Sequence, residues 1–172
     1  MVLTRPFCYF SHMNQATDGT SPFVLRAMAS LRIYVGLLWL AYGTSKLEPN
    51  WVGGKLEFLQ AVKSCLPATA PPFRAFLEHV VIPNQALFGQ LIAFGETVVG
   101  VALVLGLVAK VAAAGGMFLS LNYFVATGGY ASRFGLMTLE LLLFVVCLFL
   151  LAAPSNQAFA LDILIGRRRL PH

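Results

Sequence analysis

The sequence has 172 residues, of which 58% are hydrophobic and only 11% charged, against about 45–50% and about 25% in soluble domains. A water-soluble fold is excluded, and the chain reads as an integral membrane protein. The net charge of +5 comes from residues at the ends of apolar runs. It does not come from a basic face interleaved with aromatics, which excludes a nucleic-acid module.

Residues 1–22, rich in Ser, Thr, Asn and Gln, form a polar tail without the apolar core and cleavage site of a secretory signal. The run 23–47 is the first predicted span. Residues 48–83 form the one long connection. Within it Leu56, Leu59, Val62 and Leu66 share one helical face, and Phe73, Phe76, Leu77 and Val80 repeat the theme. Both segments are expected as amphipathic helices lying on the membrane interface or on the bundle. Three further apolar runs, 84–107, 109–127 and 133–153, are long enough to span. The turns "VAK" and "GGY" between them leave room only for antiparallel hairpins. Residues 154–172 end in the basic tail "GRRRLPH". The expected fold is therefore an all-α, four-transmembrane-helix up-down bundle. An even number of spans puts both termini on one side, and the arginines 167–169, suited to anionic lipid, assign that side to the cytoplasm of a bacterial cytoplasmic membrane.

A charge at a span centre costs about 2.5–3.5 kcal/mol on insertion scales. Three residues raise that question: Arg32, Glu96 and Glu140. Glu96 shares a face with Gly89, Ala93, Gly100 and Leu103, so it points into the bundle beside small residues. On the first span Arg32, Gly36, Trp39, Gly43 and Lys46 fall on one face. On the third, Ala113, Gly116, Ser120 and Tyr123 do so, and the fourth offers Met137, Glu140, Phe144 and Cys147. Counting from the long connection puts Arg32 about 22 Å deep and Glu96 about 18 Å deep at the rise of a helix. Arg32, or another inward polar group, is expected to neutralise Glu96. Such a pair serves either to fix helix register or to handle protons.

Cys8, Cys65 and Cys147 make no C-x-x-C, which argues against a dithiol relay or a thiolate metal site. His79 has no second histidine placed for a bis-histidine haem, and no glycine pattern marks a nucleotide loop. No metal, haem, iron–sulfur or nucleotide ligand set is expected. A quinone or similar flat molecule is the ligand that Trp39, Tyr34 and Tyr42 are suited to line.

The stretches "LRIYVGLLWLAYGTSKLE" and "AFGETVVGVALVLGLVAKVAA" resemble the DoxX-like family of small four-span membrane proteins. The first carries Arg32, Gly36, Gly43 and Lys46, and the second carries Glu96, Gly100, Gly106 and Lys110. Some members of that family are subunits of a thiosulfate:quinone oxidoreductase. The resemblance implies a redox-associated bundle whose polar core corresponds to Arg32, Lys46 and Glu96. Glu96 and Arg32 are the candidate catalytic groups, and Lys46, Trp39, Tyr123 and Glu140 the candidate ligand contacts. Three readings stay open. The chain is a quinone-binding oxidoreductase subunit, or an accessory subunit of a larger electron-transfer complex, or a small proton-coupled transporter. The first two call for other protein subunits as partners, and all three for membrane lipid.

Overall fold

The structure is a computed structural model of the chain, and it describes residues 21–52, 56–131 and 137–153. Among these the regular structure is entirely helical. Helix α1 spans Pro22–Ser45, and its first turn is prepared by Pro22 and by Ser21, whose hydroxyl accepts from the Phe23 amide at 3.3 Å. The long connection folds into three short helices, α2 (Pro49–Val52), α3 (Leu56–Cys65) and α4 (Pro71–Phe76), and α4 continues into a π-turn over Leu77–Val81. Helices α5 (Gln85–Leu105) and α6 (Ala109–Ala126) follow as a hairpin, with Gly106 left-handed at φ 67° closing α5. A 3₁₀ turn, Gly129–Ala131, leads toward α7 (Leu139–Ala152).

Helices α1, α5 and α6 are long and apolar enough to cross a membrane, and the chain is an integral membrane protein. The described part of the fourth apolar run is α7, 14 residues long. That is about 21 Å of helix, short of the roughly 30 Å hydrocarbon core. Residues 132–136, where that span was expected to begin, lie outside the described residues, as do both tails.

Packing is set by glycine. Helices α1 and α5 run antiparallel with almost no gap. A Cβ on Gly43 would come within 2.5 Å of the Thr97 nitrogen, and one on Gly100 within 2.5 Å of the Leu40 nitrogen. Backbones approach this closely only where side chains are absent, the usual means of tight contact where lipid provides no hydrophobic drive. At the level of this crossing, which lies below the long connection when that end is taken as up, Val35, Trp39, Val99, Leu103, Ala113, Leu143 and Cys147 make the bundle core. A second apolar cluster, centred on Phe58, Leu77 and Val81, joins the long connection to Phe88 and Ile92 near the start of α5.

The long connection is helical, and Val62, Leu66, Phe73 and Leu77 of the expected faces pack in its apolar cluster, but the faces are rotated at their edges. In α3 the buried side chain is Phe58, while Leu56 is 68% exposed. The π-turn shifts the second segment so that Leu77 and Val81 are buried and Val80 is turned out. Inserting one extra residue per turn rotates the face relative to a 3.6-residue count.

Candidate functional site

The antiparallel crossing fixes which residues share a level. Gly43 lies against Thr97, Leu40 against Gly100 and Gly36 against Val104. The end of α1 is therefore level with the middle of α5, and the first turns of α5 rise beyond α1 into the long connection. Lys46, which caps α1, lands on Glu96. Its Nζ lies 2.6 Å from Oε1 and 2.8 Å from Oε2 of Glu96. It also donates to the Tyr123 hydroxyl at 2.9 Å, and that hydroxyl in turn donates to Oε1 of Glu96. All three ammonium protons are used, and the carboxylate accepts three hydrogen bonds.

The surroundings keep this cluster nearly dry. The Glu96 side chain is 1% exposed and that of Lys46 is 16% exposed. Aromatic rings surround the ammonium, with centroids of Tyr123, Trp51 and Tyr42 at 4.8, 5.3 and 6.0 Å. The cluster sits at the seam between the bundle core and the cluster of the long connection.

Directly adjoining it is a cavity of about 430 Å³. Its walls are mostly apolar and aromatic, among them Trp51, Phe58, Phe73, Phe88 and Phe118. Asn122, Tyr123 and Thr127 supply its polar side chains. The long connection forms part of its wall and is tied to the end of α6. The Thr69 hydroxyl lies 2.6 Å from the Ala126 carbonyl, Tyr130 donates to the Ala68 carbonyl at 3.2 Å, and Gly128, at φ 69°, lets Ala68 approach. One buried donor there, Trp51 Nε1, has no hydrogen-bond partner among the described residues.

The candidate residues separate into groups. Lys46, Glu96 and Tyr123 are brought into direct contact. Arg32 is buried in α1, but it precedes Lys46 by four turns, about 21 Å along the axis. The cation on Glu96 is thus Lys46 and not Arg32. The depth count failed because it started α1 and α5 at one level, whereas α5 begins well beyond the end of α1. Trp39 is buried against Gly116 in the bundle core, beside Cys147, and is not among the cavity-lining residues. Glu140 is half-buried in the first turn of α7. Met137, placed on the inward face from sequence, is 83% exposed, and Tyr34 is 61% exposed.

Spacing did not single out Trp51 or, apart from Tyr123, the cavity wall on α6. Phe118, Leu119, Asn122, Tyr123, Ala126 and Thr127 recur at helical spacing, so that wall was detectable as a face. The return of Trp51 over the ion pair was not detectable, since it depends on how the long connection folds back.

An integral membrane helical protein with a buried Lys–Glu–Tyr cluster beside an aromatic cavity defines the class. The chain belongs to the DoxD family: the model of that family, described as the small subunit DoxD of TQO (thiosulfate:quinone oxidoreductase), matches residues 22–170. No curated protein and no solved structure matches it. Its general role is accordingly that of a membrane subunit, which implies protein partners.

Proposed function

We propose that this subunit binds the quinone of the oxidoreductase in the 430 Å³ cavity and manages the proton at its ring oxygen through Tyr123, Glu96 and Lys46. The observation that carries the reading is that Tyr123 both lines the cavity and hydrogen-bonds the buried ion pair. The cavity fits such a ligand. Its aromatic walls suit a flat ring. Bound there, a quinone accepts two electrons and two protons to become the quinol; the electrons are delivered by a partner subunit that oxidises the donor.

What this chain supplies is position and protons. Tyr123 offers a hydroxyl at the cavity wall. Glu96 holds that hydroxyl by accepting from it, and a proton that Tyr123 gives to the ring oxygen is replaced by one from Lys46 Nζ, which donates to the same hydroxyl. Lys46 offsets the carboxylate charge and, being the most accessible of the three, links the cluster to water at the long-connection end. Below the cluster the packing of Val35, Trp39, Val99 and Leu103 is apolar, which supports exchange with one side and speaks against a transport path to the other. We place both termini in the cytoplasm of a bacterial membrane, on the strength of the arginines 167–169.

The alternative, an accessory subunit without turnover, draws on the same pair, because a satisfied Lys–Glu bond at a glycine crossing also fixes helix register. Quinone retention separates the two. The protein, purified in mild detergent from membranes, is expected to keep quinone detectable by mass spectrometry, and Ala61→Phe, which fills the cavity wall, is expected to lose it. Protein that carries no quinone and takes none up on addition overturns the quinone reading.

A further inference from the structure

A second hollow lies on the outside of the α5–α6 hairpin. It is a groove of about 570 Å³ running along α5 from Leu87 to Ala102, faced across by Val111, Ala112 and Gly115 of α6. Leu91 lines both this groove and the cavity beside Tyr123, so the two meet at that one side chain. The floor contains Gly95. Glycine is unfavourable inside a helix relative to alanine, and Gly36, Gly43 and Gly100 each owe their presence to a backbone pressed against them. Gly95 does not. A Cβ there would meet nothing within 4 Å, so no packing partner among the described residues accounts for it.

We infer that the groove holds the polyisoprenoid tail of the quinone and that the ring enters the cavity laterally from the bilayer, between α5 and α6 past Leu91. The inference rests on the quinone reading and extends it to the class of quinone, one carrying a long branched hydrocarbon tail, and to its route. Lipid is as apolar as the tail, so the groove gains nothing from hydrophobic transfer and selects by shape and packing. The missing side chain at Gly95 leaves room for the methyl branches of such a tail. A linear groove opening to lipid at Val98 and Val111, 63% and 70% exposed, allows a tail of any length to continue into the membrane.

The test uses the full chain in membranes and two photoreactive benzoquinones with polyisoprenyl tails, one with the diazirine on the ring and one with it on the tail. Labelled residues are mapped by mass spectrometry with and without excess unlabelled quinone. The ring probe is expected on Trp51 and on 118–127, and the tail probe on 95–102 and 111–115, both competed away. In Gly95→Phe and, independently, Val98→Trp, tail labelling of the groove is expected to be lost while ring labelling persists. Absent or uncompeted ring labelling overturns the quinone reading itself. Ring labelling with tail labels spread evenly over the lipid-facing helices overturns the groove alone. So does retention of competed groove labelling in both variants, or recovery of a partner helix crosslinked across the groove.

Discussion

Lys46 reaches both carboxylate oxygens of Glu96, at 2.6 and 2.8 Å, from the residue that caps α1, across the glycine crossing of α1 and α5. One buried ion pair thus joins the end of one span to the middle of another. Removing one partner leaves an uncompensated charge in a dry site. Lys46→Met is expected to cost about 3–5 kcal/mol. The double variant Lys46→Met with Glu96→Leu should regain much of that loss. Thermal unfolding in detergent reads both, and equal stability of the single variant and wild type would show that the pair contributes nothing.

Tyr123 separates chemistry from packing. Tyr123→Phe keeps the ring and removes one of the three donors to Glu96, at a cost of about 1.5–3 kcal/mol for a hydrogen bond to a charged group. Quinone-linked turnover of the assembled oxidoreductase is expected to fall much further than the amount of assembled complex. A parallel fall in both would assign the hydroxyl to architecture.

The crossing itself is testable with one methyl group. Gly43→Ala and Gly100→Ala place a carbon 2.5 Å from the Thr97 and Leu40 nitrogens, and forcing the helices apart is expected to destabilise by about 1–3 kcal/mol each. Gly95→Ala, on the same helix as Gly100 but with open space at the Cβ, should be neutral or stabilising by up to about 1 kcal/mol. Unfolding midpoints of the three variants give the comparison.

The tie between the long connection and α6 is expected to control access to the cavity. Gly128→Ala combines a left-handed φ of 69° with a clash against the Ala68 carbonyl, and Thr69→Val removes the bond to Ala126. Amide exchange over 56–81 should accelerate in both, with the centres of α5 and α6 unchanged. Exchange unchanged in the connection would show that the Phe58 cluster alone holds it.

Much of this protein was legible before any fold was known. Membrane residence follows from composition, because a chain this apolar has too little polar surface to meet water. The inward faces of α1, α5 and α6 follow from spacing, because small and polar residues at helical intervals have no stable place against lipid: Gly43, Gly100, Glu96 and Tyr123 were all assigned inward from sequence, and the first three are buried and Tyr123 bonded to Glu96. Tertiary structure alone decided the partner of Glu96. Periodicity reports which way a residue points but not how far one helix slides along another, and that offset is set by the fit of Gly43 on Thr97 and Gly100 on Leu40. The slide brings Lys46 to Glu96 and leaves Arg32 about four turns away. The cavity likewise exists only because α2 to α4 fold back over α5 and α6, a long-range contact that no local pattern in residues 48–83 encodes.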